Sequence, residues 1–190
     1  MRKGNLFIIS GPSGAGKGTL VKAITPIVHD AWVSVSVTTR APRPGEVEGQ
    51  HYFFISDAHF DDLARDGGLL EWAEVHGNRY GTPRAAVQAK VAEGKQVILE
   101  IDPQGAFQVK HLVPESVLVF IMPPSWEELQ RRLVGRGSET ESQVETRMET
   151  ARRELELVGE YAHVELNEDV SRAATELVAN VDSHANTEDA

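Results

Sequence analysis

The chain has 190 residues, 41% hydrophobic and 25% charged. This composition predicts one globular unit with room for a sizeable core and excludes both wholesale disorder and a membrane-embedded bundle. There is no cysteine, so disulfides, thiolate metal sites and a cysteine nucleophile are excluded. The net charge of −10 is a property of the end of the chain: from Glu154 onward there are 10 acidic residues and one basic residue, which leaves −1 for everything before. Met1 to Pro26 carries Arg2, Lys3, Lys17 and Lys22 and no acid, a local excess suited to an anionic ligand such as a phosphate. Overall acidity argues against nucleic acid as a partner. No run reaches the ~18 apolar residues of a membrane span, and Leu6 to Ile9 is too short for a signal-peptide core. A cytoplasmic protein without a membrane partner is expected.

In chain order, Leu6 to Ser10 (LFIIS) reads as a buried strand, followed by glycines and then a helical pattern through Leu20, Val21, Ile24, Ile27 and Val28. Further strands are expected at Val33 to Val37, Gln96 to Ile101, Val117 to Met122 and, more weakly, Val164 to Leu166. Their continuous apolar character suggests parallel strands covered on both faces. Thr82 and Pro83 predict a helix cap and first helical residue, with Gly94 beyond the far end. Ser125 with Glu128 predicts a capping box, and a long polar helix is expected from about Gln143 to Glu160. The rhythm of strands and helices indicates an α/β sheet with right-handed crossovers. Thr38 to Tyr80 breaks it, with Pro42, Pro44, Gly45 and Gly49, the HYFFI run His51 to Ile55 and a Gly67-Gly68 turn, and predicts a small mixed insertion. The closing DSHANTEDA is expected to be disordered.

Directly after the first strand stands Gly11-Pro12-Ser13-Gly14-Ala15-Gly16-Lys17, the G-x-x-x-x-G-K of a phosphate-binding loop in its strand-to-helix context. Glycines let backbone N–H groups converge on phosphate oxygens, the helix N-terminus adds its dipole, and Lys17 adds a point charge. The usual next residue is a Ser or Thr whose hydroxyl ligates Mg²⁺; here it is Gly18, with Thr19 about 100° further around the helix. Mg²⁺ keeps several waters, so nucleotide phosphates and water-bridged carboxylates can hold it, with Thr19, Glu100 and Asp102 as candidate contributors. The GKGT ending resembles adenylate kinases and points to nucleoside monophosphate kinases.

Glu100 and Asp102 close the QVILEID run, and positions two apart on a strand share a face, so both are expected at the C-terminal edge of a parallel sheet where such folds bind ligands. Asp102-Pro103-Gln104-Gly105 also spells the D-x-x-G of GTP-hydrolysing switches, but no N-K-x-D guanine motif accompanies it.

Ser36 to Glu46 (SVTTRAPRPGE), Gly49 to Phe54, Leu70-Glu71-Trp72, Asn78 to Thr82, Ile101 to Gly105 and Arg132 to Gly137 closely resemble guanylate kinases, over nearly the whole chain. The resemblance implies a three-layer α/β P-loop kinase fold. It has a central parallel sheet (core 1–36, 83–124 and 158–184), an inserted mixed α/β GMP-binding region (37–82) and a helical lid (125–157), with 185–190 as a tail. It implies Mg²⁺-dependent transfer of a phosphoryl group from ATP to GMP. Gly11, Pro12, Ser13, Gly14, Ala15, Gly16, Lys17, Gly18 and Thr19 would bind ATP, and Lys17, Arg132, Arg136 and Arg147 would be catalytic. Ser36, Arg40, Arg43, Tyr52, Glu71, Tyr80, Thr82, Glu100 and Asp102 would form the GMP site. The side chains suit those roles. Arg40 and Arg43 offer fork-shaped donors to a phosphate monoester, and a Glu71 carboxylate can accept both N1–H and the N2 amine of guanine, a donor pair adenine lacks. Two positions depart from the family pattern: Glu100 stands where aspartate is common, and Arg79 interrupts an N-Y-Y-G run. Monomer or homodimer is expected. A non-catalytic scaffold module would have lost Lys17 or the lid arginines, and an adenylate kinase would not need Glu71 with S-x-T-T-R-x-P-R.

Overall fold

The computed structural model describes residues 3–75, 77–134 and 141–185. β1 (Asn5–Ser10) runs through the middle of the main sheet because both of its faces are apolar: Phe7 and Ile9 enter one core layer, Leu6 and Ile8 the other, as a side-chain period of two requires. α1 (Lys17–Ile24) leads to the edge strand β2 (Ala31–Val33). A second sheet then intervenes, made of β3 (Val37–Thr38), β4 (Phe53–Phe54), β5 (Leu69–Val75) and β6 (Asn78–Pro83), with α2 (Asp57–Arg65) packed on it through Phe60. The chain returns through α3 (Arg84–Ala92) to β7 (Gln96–Glu100) and through α4 (Pro103–Leu112) to β8 (Val117–Met122). α5 (Trp126–Val134) and α6 (Glu141–Glu156), extended by a 3-10 turn at Leu157–Glu160, precede β9 (His163–Leu166) and α7 (Val170–Ala185).

The main sheet is parallel throughout, in the order β2-β7-β1-β8-β9; the smaller one is mixed, in the order β4-β3-β6-β5. Leu20, Ile24, Leu177 and Val181 from α1 and α7 cover one face of the main sheet, and Val87, Ala106 and Val109 from α3 and α4 cover the other. This is the three-layer α/β arrangement. In a sheet of this kind the carboxyl ends of the strands share one edge, where ligands bind, and here that edge carries the loops after β1, β7 and β9. No helix among the described residues is long and apolar enough to cross a membrane.

Several local expectations are corrected. The segment Val33 to Val37 is not one strand: Ser34 still hydrogen-bonds to Ile98 of the main sheet, whereas Ser36 accepts from Phe53 of the small one, so the polar link carries the chain between sheets. In the HYFFI run only Phe53 and Phe54 are strand. Thr82 does not cap a helix; β6 continues to Pro83, and the Thr82 hydroxyl is spent on Glu71. Half of the capping box forms, with Ser125 Oγ accepting from the Glu128 N–H at 3.1 Å, while the Glu128 carboxylate turns to Arg131 and Arg132. The long polar helix breaks into a 3-10 turn at Leu157. Asp182 to Ala185 belong to α7, with Val181 and Ala185 buried; the rest of DSHANTEDA lies outside the described residues.

β9 also buries a carboxyl group. Glu165 is 9% exposed and faces Glu176 of α7. Burial, reinforced by that neighbour, pushes its pKa up to about 7. A carboxyl whose folded-state pKa lies above its unfolded value loses stability as pH rises through that interval. Glu165→Gln removes the titration, so its urea midpoint should fall less between pH 5 and pH 8 than that of the wild type; equal pH dependence of the two proteins would refute this account.

Candidate active site

The loop after β1 turns through left-handed backbone at Gly11, Gly14 and Gly16, with φ of 131°, 89° and 92°, and delivers the chain into α1 with Gly16 as N-cap. Lys17 folds back over the loop, its Nζ donating to the carbonyls of Gly11 at 2.6 Å and Pro12 at 3.2 Å. Three elements hold the loop from outside. Leu129 and Leu133 of α5 pack against Gly14, Asn167 after β9 donates from Nδ2 to the Ala15 carbonyl at 2.7 Å, and Arg147 of α6, 7% exposed, donates to Ser13 Oγ at 2.7 Å. Arg132 of α5 is aligned by Glu128 at 2.7 Å and lines the cleft beside the loop. Arg136 lies outside the described residues.

Glu154, two helical turns beyond Arg147, also lines the cleft, and burial pushes its carboxyl up to about 6 against the opposing pull of Lys17. Sequence reasoning missed Glu154 and Asn167. Glu154 sits in a charged helix that reads as solvated, whereas Asn167, directly after a strand on the ligand-binding edge, was open to detection.

The second sheet supplies the opposite wall. Glu71 on β5 is 5% exposed while its neighbour Trp72 points out at 44%, the alternation a strand imposes. Thr82, fully buried on the paired strand β6, donates its hydroxyl to Glu71 Oε1 at 2.6 Å. On the other side Glu71 presses against α4: a Cβ on Gly105 would lie 2.5 Å from Glu71 Oε2, so only glycine fits there. Burial pushes the Glu71 carboxyl up to about 7, Asp102 adds to the rise, and Thr82 opposes it. Asp102 lines the cleft but lies beyond the end of β7 and caps α4, its Oδ1 accepting from the Gly105 N–H at 3.0 Å. It therefore does not share a strand face with Glu100 as the spacing suggested.

Arg40 is locked by a two-point contact to Glu46 at 3.0 and 2.9 Å, with its guanidinium 5.4 Å from the centre of the Tyr52 ring. Glu46 also accepts from the Arg43 backbone N–H at 2.7 Å, which makes it the organiser of this loop, a role the motif alone did not reveal. Tyr52 and Tyr80 meet edge to face at 5.8 Å. Arg79 leaves the cleft altogether: it spans Asp57 and Asp61 of α2 at 2.6 and 2.5 Å and stacks over Phe60 at 4.7 Å. Its departure from the N-Y-Y-G pattern serves the attachment of α2.

These walls enclose one cleft of about 1220 Å³. Ser13, Gly14, Gly16, Lys17, Gly18, Thr19, Arg132 and Arg147 line it beside the phosphate loop, and Ser36, Arg40, Arg43, Tyr52, Glu71, Tyr80, Glu100 and Asp102 line the rest. Gly11, Pro12, Ala15 and Thr82 stand behind this surface, joined to it through Lys17, Asn167 and Glu71. Among the described residues no cluster of three or more His, Asp or Glu could hold a metal by itself. Glu100 is the carboxylate best placed to contribute. Lys17 is its electrostatic neighbour, burial among protein atoms raises its pKa although the open cleft admits solvent, and no hydrogen bond from a described residue reaches it.

Comparison with known proteins agrees with this architecture. The sequence matches the family described as guanylate kinase over residues 3–184. The guanylate kinase of Thermobifida fusca is 51% identical over 174 residues, 92% of this chain and 89% of its own. That of Clostridioides difficile is 45% identical over 186 residues, 98% of this chain and 91% of its own. The crystal structure of guanylate kinase from Anaplasma phagocytophilum aligns with a TM-score of 0.81 at 34% identity, covering 98% of this chain and 89% of that one. By sequence along nearly its full length and by fold, the chain belongs to the guanylate kinase family.

Proposed function

We propose that the protein transfers the γ-phosphoryl group of ATP to GMP, giving ADP and GDP. The observation that carries this reading is the single cleft shared by the phosphate loop and the Glu71 pocket, since phosphoryl transfer requires donor and acceptor in line in one dry space. The N–H groups of residues 13–19 and Lys17 would hold the donor's phosphates, with Arg132 and Arg147 on the transferring group. Arg40, Arg43, Tyr52 and Tyr80 would take the acceptor's phosphate. Glu71, oriented by Thr82, would accept from both guanine donors while Ser36 serves the O6 and N7 side. Mg²⁺, held by the nucleotide's phosphates and waters with Glu100 facing it, would neutralise charge on the β- and γ-oxygens. The acceptor's phosphate oxygen attacks phosphorus directly, and charge moving to the bridging oxygen is met by Lys17 and the arginines. The Glu46 clamp on Arg40 readies the acceptor site before substrate arrives.

ADP release should be rapid with GMP and slower with AMP by on the order of 10⁴-fold, because adenine leaves the Glu71 carboxylate unpaired. Glu71→Ala should erase most of that discrimination while sparing ATP affinity. Equal turnover of GMP and AMP by the wild type would overturn the assignment.

Reading guanine requires Glu71 as carboxylate, so kcat/KM for GMP should rise with pH through about 7. Thr82→Val deletes the hydrogen bond that favours the ionised form and should move the inflection to higher pH; an unmoved inflection would refute the orienting role of Thr82.

Lys17→Ala should lower kcat by on the order of 10³-fold or more with an unchanged melting temperature; turnover within tenfold of wild type would remove Lys17 from the transferring phosphate.

A further inference from the structure

Two departures from pattern, a glycine after the phosphate-loop lysine and a glutamate at the end of β7, lie far apart in sequence and meet in space. A Cβ placed on Gly18 would stand 3.3 Å from both Oε1 and Oε2 of Glu100 and 3.7 Å from its Cδ. The carboxylate therefore lies symmetrically over the Gly18 Cα, in the space that any side chain at this position would enter. The backbone of Glu100 is fixed, because β7 is paired with β1 in the register Ile9↔Glu100, and β1 is the strand that launches the loop. Helix and strand backbones are thus both fixed, and any side chain at position 18 must push the Glu100 carboxylate out of its place over the helix.

The electrostatic surroundings agree with a purpose beyond filling. Burial raises the pKa of Tyr52 and Glu100 across the cleft adds to the rise, burial raises that of Glu100 itself against the pull of Lys17, and no hydrogen bond from a described residue reaches Glu100. A carboxylate held open in this way retains its lone pairs for a cation or for the waters around one.

We infer that Gly18 and Glu100 form an interdependent pair in which the β7 carboxylate occupies the place of the hydroxyl that α1 lacks, and so supplies the protein's contribution to holding the nucleotide's divalent cation. This rests on reading the cleft as a nucleotide kinase site. Shortening Glu100 to aspartate would withdraw the carboxylate by one C–C bond, about 1.5 Å, and open a gap over Gly18. Installing serine at position 18 would crowd the longer carboxylate. Making both changes together would restore a hydroxyl on the helix and a shorter acid on the strand.

The test is a double-mutant cycle on the full chain with Gly18→Ser, Glu100→Asp and the double variant, joined by Gly18→Ala/Glu100→Asp. Two quantities are read: the factor by which Mg²⁺ tightens binding of a non-hydrolysable ATP analogue in calorimetry, and the melting temperature of the ligand-free protein. Each single change should cut the Mg²⁺ factor by about tenfold, the scale of lost support around a metal, and Gly18→Ser should also lower the melting temperature. Gly18→Ser/Glu100→Asp should recover the Mg²⁺ factor to within about threefold of wild type and restore melting. Gly18→Ala/Glu100→Asp should restore melting alone, because it relieves the crowding and offers no hydroxyl. Additive losses, or a Gly18→Ser protein that matches wild type in both readouts, overturn the pairing while wild-type turnover of GMP leaves the kinase reading standing. Absence of GMP turnover overturns that reading instead, and the ligand-free melting cycle still decides whether the two residues are coupled.

Discussion

The parallel pairing of β7 beside β1, with Ile9 opposite Glu100, is the constraint from which the rest of the active cleft follows. β1 ends in the phosphate loop, and β7 ends in Glu100 and the turn to Asp102. Because the two strands run the same way, their functional ends emerge at one edge and at one height. The pairing holds because both strands are apolar on both faces, and helices cover each face. A one-residue slip would send Phe7 and Ile9 into the wrong core layer and carry Glu100 away from Gly18. Core packing and site geometry are therefore the same specification, and the register that buries side chains also aligns the carboxylate with the lysine.

The cleft itself is electrostatically costly to build. Glu71, Glu100 and Glu154 all have carboxyls raised by burial, to about 7 for the first and about 6 for the third. Against them stand Lys17, Arg40, Arg132 and Arg147, all of them already engaged: Lys17 by the Gly11 and Pro12 carbonyls, Arg40 by Glu46, Arg132 by Glu128, Arg147 by Ser13. Such groups oppose folding, and they gather around the cleft. Stability is supplied elsewhere, by the two apolar layers around β1, β7 and β8.

Much of this was legible in the residue order. Periodicity and glycine placement located β1, β7 and β8, because double-sided burial writes an uninterrupted apolar run; the phosphate loop announced itself by spacing. That Glu71 belongs to the cleft was readable only through the company it keeps, since LEW alone describes an ordinary surface strand or helix. Three things were not readable. The split at Ser34 to Ser36 depends on which sheet each carbonyl serves, which is a tertiary fact. Thr82 followed by proline imitates a helix start, and only the buried Glu71 opposite claims its hydroxyl. Glu46 and Glu154 look like solvent-facing acids until their partners, fixed by distant pairing, come within reach. Arg79, conspicuous as a break in a motif, proves to be a fastener for α2.

α6 meets the phosphate loop with charges of opposite sign: Arg147 donates to the Ser13 hydroxyl, and Glu154 feels the charge of Lys17. The two residues are seven apart, so they lie along one stripe of the helix. A rod tied to a strip by a cation and drawn to it by an anion cannot slide or roll without disturbing that strip. The helix is thereby geared to the strip of backbone it overlies, and any ligand that re-forms that strip sets the rod's position in the same stroke.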